Sequence, residues 1–215
     1  MNILIMGPAG SGKGTMSDFI ADYFHIPHIS TGDMFRAAIA AETPLGLEAK
    51  RYMDNGLLVP DEVTINMTKE RLANEDCAEG YLLDGFPRTV VQAQAFDEIA
   101  KETNRPVEVV IDLEVSIDAL APRIVNRRVC KHCGAIYNIV TKPTKVEGIC
   151  DNCGTALTHR KDDTLEALEV RMAEYYKSTE PAIKYFEEKG LVVKVDAGRP
   201  AQEVWLDIKE ALEHR

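Results

Sequence analysis

The 215-residue sequence predicts an α/β fold: a P-loop parallel β-sheet core flanked by helices, carrying one helical insertion and one small cysteine-bearing insertion. Three observations point there. The apolar run Asn2–Met6 passes through the glycine-rich stretch Gly7–Thr15 into the amphipathic pattern Met16, Phe19, Ile20, Tyr23 and Phe24, which reads as strand, loop and helix. Strand-like runs at Tyr81–Asp84, Val107–Leu113 and Leu191–Val195 alternate with helical patterns, as parallel βαβ units do. From about Arg128 to Asp163, glycine, lysine, threonine and proline dominate, long apolar periodicity vanishes, and two cysteine pairs appear.

The stretch Gly7-Pro8-Ala9-Gly10-Ser11-Gly12-Lys13-Gly14-Thr15 organises the rest. Its four glycines let the backbone curl so that successive N–H groups face one hollow, and the helix behind adds partial positive charge there. Polyphosphate fits such a hollow. Lys13 supplies a point charge for the outer phosphates, matching G-x-x-x-x-G-K, although Gly14 displaces the usual hydroxyl residue to Thr15.

A formal net charge of −10 argues against a nucleic-acid binder with a general basic surface, so an anionic ligand must meet local positive charge. No apolar run reaches membrane-spanning length, and a phosphate loop starting at Gly7 leaves no room for a signal sequence. A soluble, cytoplasmic protein with no membrane partner is expected. Four of the five cysteines form close pairs, which in a reducing compartment reads as metal binding rather than disulfides. Cys77 is left over as a small buried or half-buried hydrophobe.

Along the chain, the first helix should end near Phe24, and His25–Ile29 makes a short strand or its approach, with His25 and His28 as packing residues. Ser30-Thr31-Gly32-Asp33 offers cap chemistry for a helix through Ala40. A second short helix follows Gly46 and stops at Asn55-Gly56; the two make a small insertion at the sheet edge. Pro60 and the acids after it suit the first turn of a helix through Leu72. The strand Tyr81–Asp84 ends in Gly85-Phe86-Pro87-Arg88, at the edge where open α/β sheets bind ligands. From position alone Arg88 is equally a site residue or a surface charge. Asp84 is a candidate partner of magnesium-bound water. Thr89 begins a helix through Ile99, and Ser116 caps another through Ile124. Arg123 and Arg127 are four apart, on one face of that helix, with Arg128 beside them: a nest for negative charge or a solvated basic face. A long helix runs through Leu165, Leu168, Met172 and Tyr175, and a last helix carries Val204, Trp205, Ile208 and Leu212, with Trp205 as core.

Cys130-x2-Cys133 and Cys150-x2-Cys153 are separated by sixteen residues, within zinc spacing, and each pair is followed by glycine. Four thiolates leave no open coordination position, so this Zn2+ should staple structure rather than activate water. His132 is a bystander.

These stretches together carry a resemblance. The loop at Gly7–Thr15, Ser30 to Arg36, Asp84 to Thr89 with Gln92, Arg123-x3-Arg127-Arg128, the four cysteines, and Arg160-x-Asp162-Asp163 with Arg171 resemble the long-form, zinc-bearing bacterial adenylate kinases in order and spacing. The likeness spans essentially the whole chain. It implies a core of residues 1–29, 60–126 and 164–215, an AMP-binding insertion at 30–59 and a zinc-bearing lid at 127–163. It implies an ATP site of Gly10, Ser11, Gly12, Lys13, Gly14, Thr15, Arg123, Arg127, Ile136, Tyr137 and Arg199, with Arg123 stacking on the adenine. The implied AMP site is Thr31, Arg36, Leu57, Leu58, Val59, Gly85, Phe86, Pro87, Arg88, Gln92, Arg160 and Arg171. Lys13, Arg88, Arg127, Arg160 and Arg171 would serve catalysis, Asp162 and Asp163 lid closure, and Asp84 magnesium. The implied protein is a monomer acting on ATP, AMP and ADP with Mg2+. Ala9, Met16 and Asn126 depart from the family's usual proline, glutamine and glycine, which touches fine geometry and leaves the phosphate ligands intact.

The residue chemistry agrees with that resemblance. No H-R-D-type catalytic loop is present, and an acceptor that is itself a phosphate needs no base because it is already anionic. It needs charge neutralisation and exclusion of water. A nucleic-acid-binding zinc ribbon, a nucleotide hydrolase and a kinase for another nucleoside monophosphate are the rivals. The first is opposed by the net charge, the last by Thr31 and Gln92, the family's adenine readers.

Overall fold

The computed structural model describes residues 1–215. A five-stranded parallel sheet forms the centre: β1 (Asn2–Met6), β2 (His28–Ser30), β3 (Tyr81–Asp84), β4 (Val109–Glu114) and β8 (Val192–Asp196), in the order β2-β3-β1-β4-β8. Helices cover both faces: α1 (Lys13–Phe24) and α9 (Ala201–Glu213) one, α4 (Asp61–Leu72), α5 (Val90–Thr103) and α8 (Glu180–Glu187) the other.

Strand residues divide by parity between two clusters. Ile3, Ile5, Leu82, Val109, Ile111 and Leu113 pack with Met16, Ile20, Val204, Trp205 and Ile208. Leu4, Met6, Tyr81, Leu83 and Val110 pack with Phe86, Phe96, Ile183 and Phe186 on the opposite face. Strands buried on both sides need apolar residues at every position, which is why these read as continuous apolar runs. Truncating a fully buried residue of this layer, such as Leu4→Ala, would cost about 2–5 kcal/mol.

β1 lies between β3 and β4, so connections leave its C-terminal end in opposite directions and open a crevice there. The loop Gly7–Gly12 sits in that crevice. At the β2 edge, α2 (Thr31–Ala40) and α3 (Pro44–Met53) form a helical hairpin. Ser30 Oγ accepts the Asp33 N–H at the start of α2. Thr43 Oγ1 accepts the Gly46 N–H, so α3 begins two residues before Gly46, not after it.

Helix α6 (Ile117–Val125) ends at Asn126, and the chain turns directly into β5 (Arg127–Cys130). Arg127 therefore does not share a helical face with Arg123, as four-residue spacing suggests; β-branched Val125 and Val129 flank a switch from helix to strand. Strand β5 pairs antiparallel with β6 (Ile136–Asn138) and β7 (Leu157–Thr158) in a separate small sheet. This segment does have a core, three buried residues wide: Cys130, Tyr137 and Cys150. Ser116 occupies the α6 cap position without a side-chain capping bond.

The long C-terminal helical region is broken. Helix α7 (Leu165–Glu174) leads into a π-turn, Tyr175–Thr179, before α8. Pro181 has no N–H to offer Lys177, and the Glu180 N–H reaches back to Tyr175 O instead. No helix is long and apolar enough to cross a membrane.

Candidate active site

Gly7, Gly10 and Gly12 have φ of 130°, 83° and 103°, the left-handed conformations that let the loop curl. The Lys13 Nζ donates to the Gly7 and Pro8 carbonyls, each at 2.8 Å. Burial presses Lys13 down to about 8; Arg88, Arg127 and Arg171 push the same way, and Asp84 opposes them. The Arg123 guanidinium donates to Ser11 O at 3.3 Å and Ala197 O at 2.8 Å, joining α6 to the loop and to the β8–α9 turn. That turn carries Arg199, paired with Asp207 at the surface. Ile136 Cδ1 lies 3.0 Å from where a Cβ on Gly14 would stand, so the small sheet rests on the first turn of α1. Thr15 lies in the same turn.

A second hollow, on the β2–β3 side, is lined by Thr31, Leu57, Leu58, Val59, Gly85, Arg88 and Gln92. The Thr31 hydroxyl donates to Gly85 O at 2.9 Å, and Arg88 Nε donates to the same oxygen at 2.8 Å. Gly85 has φ of 81°, and a Cβ there would meet Thr31 Oγ1 at 2.8 Å, so the close approach of these groups requires glycine. Phe86 is an exception among the expected contacts. Its ring is buried in the core edge-on to Phe96, which leaves only backbone from Phe86 at the hollow. Pro87 follows it through a cis peptide bond.

Between the two hollows stand the arginines. Arg127 Nε donates to Asp163 Oδ2 at 2.9 Å, and its NH2 pairs with Oδ1. Arg171 pairs with Asp162 and lies 4.0 Å from Asp163. Arg36 is held by Asp33 through contacts of 3.0 and 2.6 Å. Arg160 falls within electrostatic reach of Arg36, Arg127, Asp33 and Asp163. Burial, reinforced by neighbouring arginines, lowers the pKa of Arg88, Arg160 and Arg171, yet guanidinium groups stay charged. So many half-buried cations together favour negative charge between them. Asp84 faces it too: burial would raise its carboxyl, but His28, Lys13 and Arg88 hold it lower. His28 Nε2 lies 3.7 Å from Asp84, and although burial disfavours its charge, that carboxylate raises its pKa.

The four cysteines converge in the small sheet as free thiols. Their Sγ atoms all lie within 4.8 Å of one another, with closest pairs at 3.4, 3.5 and 3.6 Å. A tetrahedral ion at about 2.3 Å from each sulfur needs separations of about 3.8 Å, so the set fits a metal of the zinc kind. Tyr137 is turned into this cluster, its hydroxyl 3.5 Å from Cys150 Sγ and accepting the Asp151 N–H at 3.0 Å. Its hydroxyl is thus engaged within the cysteine cluster, which leaves the backbone of Tyr137 as the part open to a nucleotide. His132 is exposed, outside the four-sulfur set.

Three further residues at the site carry no motif. Asp61 binds the Gln92 amide, Thr179 of the π-turn donates to Arg88 O at 3.3 Å, and His28 meets Asp84. Only Asp61, an acid beside Pro60 at a helix start, gives any sequence signal, and that signal reads as helix capping.

Comparison with known proteins agrees with this geometry. The family model described as adenylate kinase matches residues 5–191. The adenylate kinase of Bacillus subtilis strain 168 is 50% identical over 212 residues, covering 99% of this chain and 98% of the relative. Those of Bacillus pumilus and of Clostridium botulinum strain Loch Maree are each 49% identical with the same coverage. With its phosphate loop, arginine cluster and second hollow in one crevice, the chain belongs to the adenylate kinase family.

Proposed function

We propose that the protein transfers the terminal phosphoryl group of ATP to AMP reversibly, giving two ADP. The carrying observation is the convergence of Lys13, Arg88, Arg127 and Arg171 between the phosphate loop and the Thr31–Gln92 hollow. Two polyphosphates meeting there would be neutralised from all sides, with no base required.

In this reading ATP lies on Gly10–Thr15, with Arg123 and Arg199 flanking it and Ile136 closing over it, while Tyr137 contributes backbone only. AMP occupies the second hollow, its base beside Thr31 and Gln92 and its phosphate toward Arg36 and Arg88. Arg160 and Arg171 face the transferred group, and Asp162 and Asp163 hold their arginines in place as residues 127–163 close and exclude water. The helical hairpin at 30–59 forms one wall of the AMP site, and the remainder is the core. Mg2+ would reach the site with ATP and spread phosphate charge, with Asp84 facing its hydration water. Zn2+ on the four cysteines would fold the small sheet as one body. The protein is proposed to work as a cytoplasmic monomer.

The test is ADP formation from ATP and Mg2+ with AMP, CMP, UMP and GMP in turn. AMP should give two ADP per ATP and exceed the others in kcat/KM. Equal use of all four, or phosphate release from ATP alone at the same rate, would overturn the reading.

A further inference from the structure

Gln92 is 2% exposed, and its amide is held at both ends. Its Oε1 accepts the Arg88 N–H at 2.7 Å, and its Nε2 donates to Asp61 Oδ1 at 2.8 Å. The same Asp61 oxygen accepts the Thr89 hydroxyl at 3.1 Å, and Thr89 Oγ1 accepts the Gln92 N–H at 3.1 Å. A half-turn of the amide would aim N–H at N–H on the Arg88 side and oxygen at carboxylate on the Asp61 side. Buried, both conflicts are costly, so the amide has one orientation.

Each end of that amide keeps one unused valence, a lone pair on Oε1 and an N–H on Nε2. The side chain lines the hollow beside Thr31, whose hydroxyl donates its proton to Gly85 O and so offers an acceptor as well. A 6-aminopurine presents an N–H donor beside a ring-nitrogen acceptor and matches this order. A 6-oxopurine presents the reverse and would need the flipped amide.

We propose that Asp61 is a positioning residue for base selection: it locks Gln92 in the orientation that accepts a 6-aminopurine and refuses a 6-oxopurine. This rests on the reading that Gln92 faces the base of the acceptor nucleotide.

The test compares kcat/KM for AMP and inosine monophosphate, which differ at the reading edge, together with the melting temperature of each variant. Asp61→Leu removes the acceptor and should lower the AMP preference by about fivefold or more. Asp61→Asn can keep a carbonyl oxygen in place and should stay near the parent ratio. A role confined to starting α4 would lower the melting temperature and leave the ratio unmoved, which overturns the proposal. Asp61→Ala serves if Asp61→Leu does not fold. Gln92→Ala runs in parallel. If it collapses the ratio while Asp61→Leu does not, the lock is wrong and the base reading stands; if it too leaves the ratio unchanged, the base reading fails and the lock with it. An Asp61→Asn ratio as low as that of Asp61→Leu would also overturn an acceptor-based lock.

Discussion

Asp163, whose side chain is fully buried, holds Arg127 through a two-pronged contact to Nε and NH2. Arg127 starts the small sheet and Asp163 closes the segment that bears the cysteines, so the pair fastens both ends of that segment at the reaction crevice. Removing one partner of a buried pair leaves the other uncompensated. Asp163→Ala should lose about 3–5 kcal/mol in urea unfolding, and saturating ATP should recover part of it by offering phosphate to the freed arginine. An unfolding midpoint equal to the parent's would show that the pair contributes nothing.

Arg88 reaches Gly85 O and shares the crevice with Lys13 and Asp84, between the two hollows. In the proposed reaction a guanidinium there would meet the transferring phosphoryl mainly in the transition state. Arg88→Ala should therefore lower kcat by about a hundredfold or more with a smaller change in either KM. Steady-state kinetics showing kcat within about threefold of the parent would remove Arg88 from the reaction.

Lys13 gives the site a pH signature. With its pKa near 8 in the free protein against an ordinary 10.5, the lysine is charged in folded and unfolded chains alike below pH 8. There its burial destabilises the fold in full, and that penalty lifts as pH rises toward 10.5. Phosphates restore the charge, so ATP binding should take up protons near pH 9 and few near pH 7. Calorimetric titration in buffers of different ionisation heat measures this; equal proton uptake at both pH values would contradict the lysine's role.

The cysteine cluster should govern stability rather than chemistry. Its four sulfurs would fill the tetrahedral shell of a bound metal, and only Cys130, Tyr137 and Cys150 are buried as a core there. Stripping the metal, or Cys150→Ser, should melt the small sheet before the large one and lower the melting temperature by several degrees, with much of the turnover retained in the cold. Lost turnover while hydrogen exchange shows the sheet intact would contradict a purely structural metal.

How much of this was readable from the chain depends on whether the cause was local. The loop at Gly7–Thr15, the cysteine pairs and the strand at Tyr81–Asp84 declare themselves through glycine, spacing and apolar runs. Strand order does not, because β3 between β2 and β1 is a product of packing. Arg127 leaves its expected helix because the chain becomes strand after Asn126, a choice made by pairing with β6 and β7. The inward turn of Tyr137 follows from strand alternation once β6 exists, yet three residues are too few to show a period. The π-turn at Tyr175–Thr179 lies just before Pro181 and is closed by the Glu180 N–H on Tyr175 O, and Asp61 meets Gln92 across 31 positions. No local window contains the Asp61–Gln92 pairing, and the register of the π-turn shows no period of its own.

The decisive measurement follows the fate of the terminal phosphate. ATP labelled in its γ-phosphoryl group is incubated with unlabelled AMP, Mg2+ and the protein, and products are separated during the first turnovers. Direct transfer between nucleotides in a water-free crevice places the label in the β-phosphoryl of ADP formed from AMP, mole for mole with ATP consumed. Label recovered chiefly as inorganic phosphate, with AMP unchanged, would contradict it.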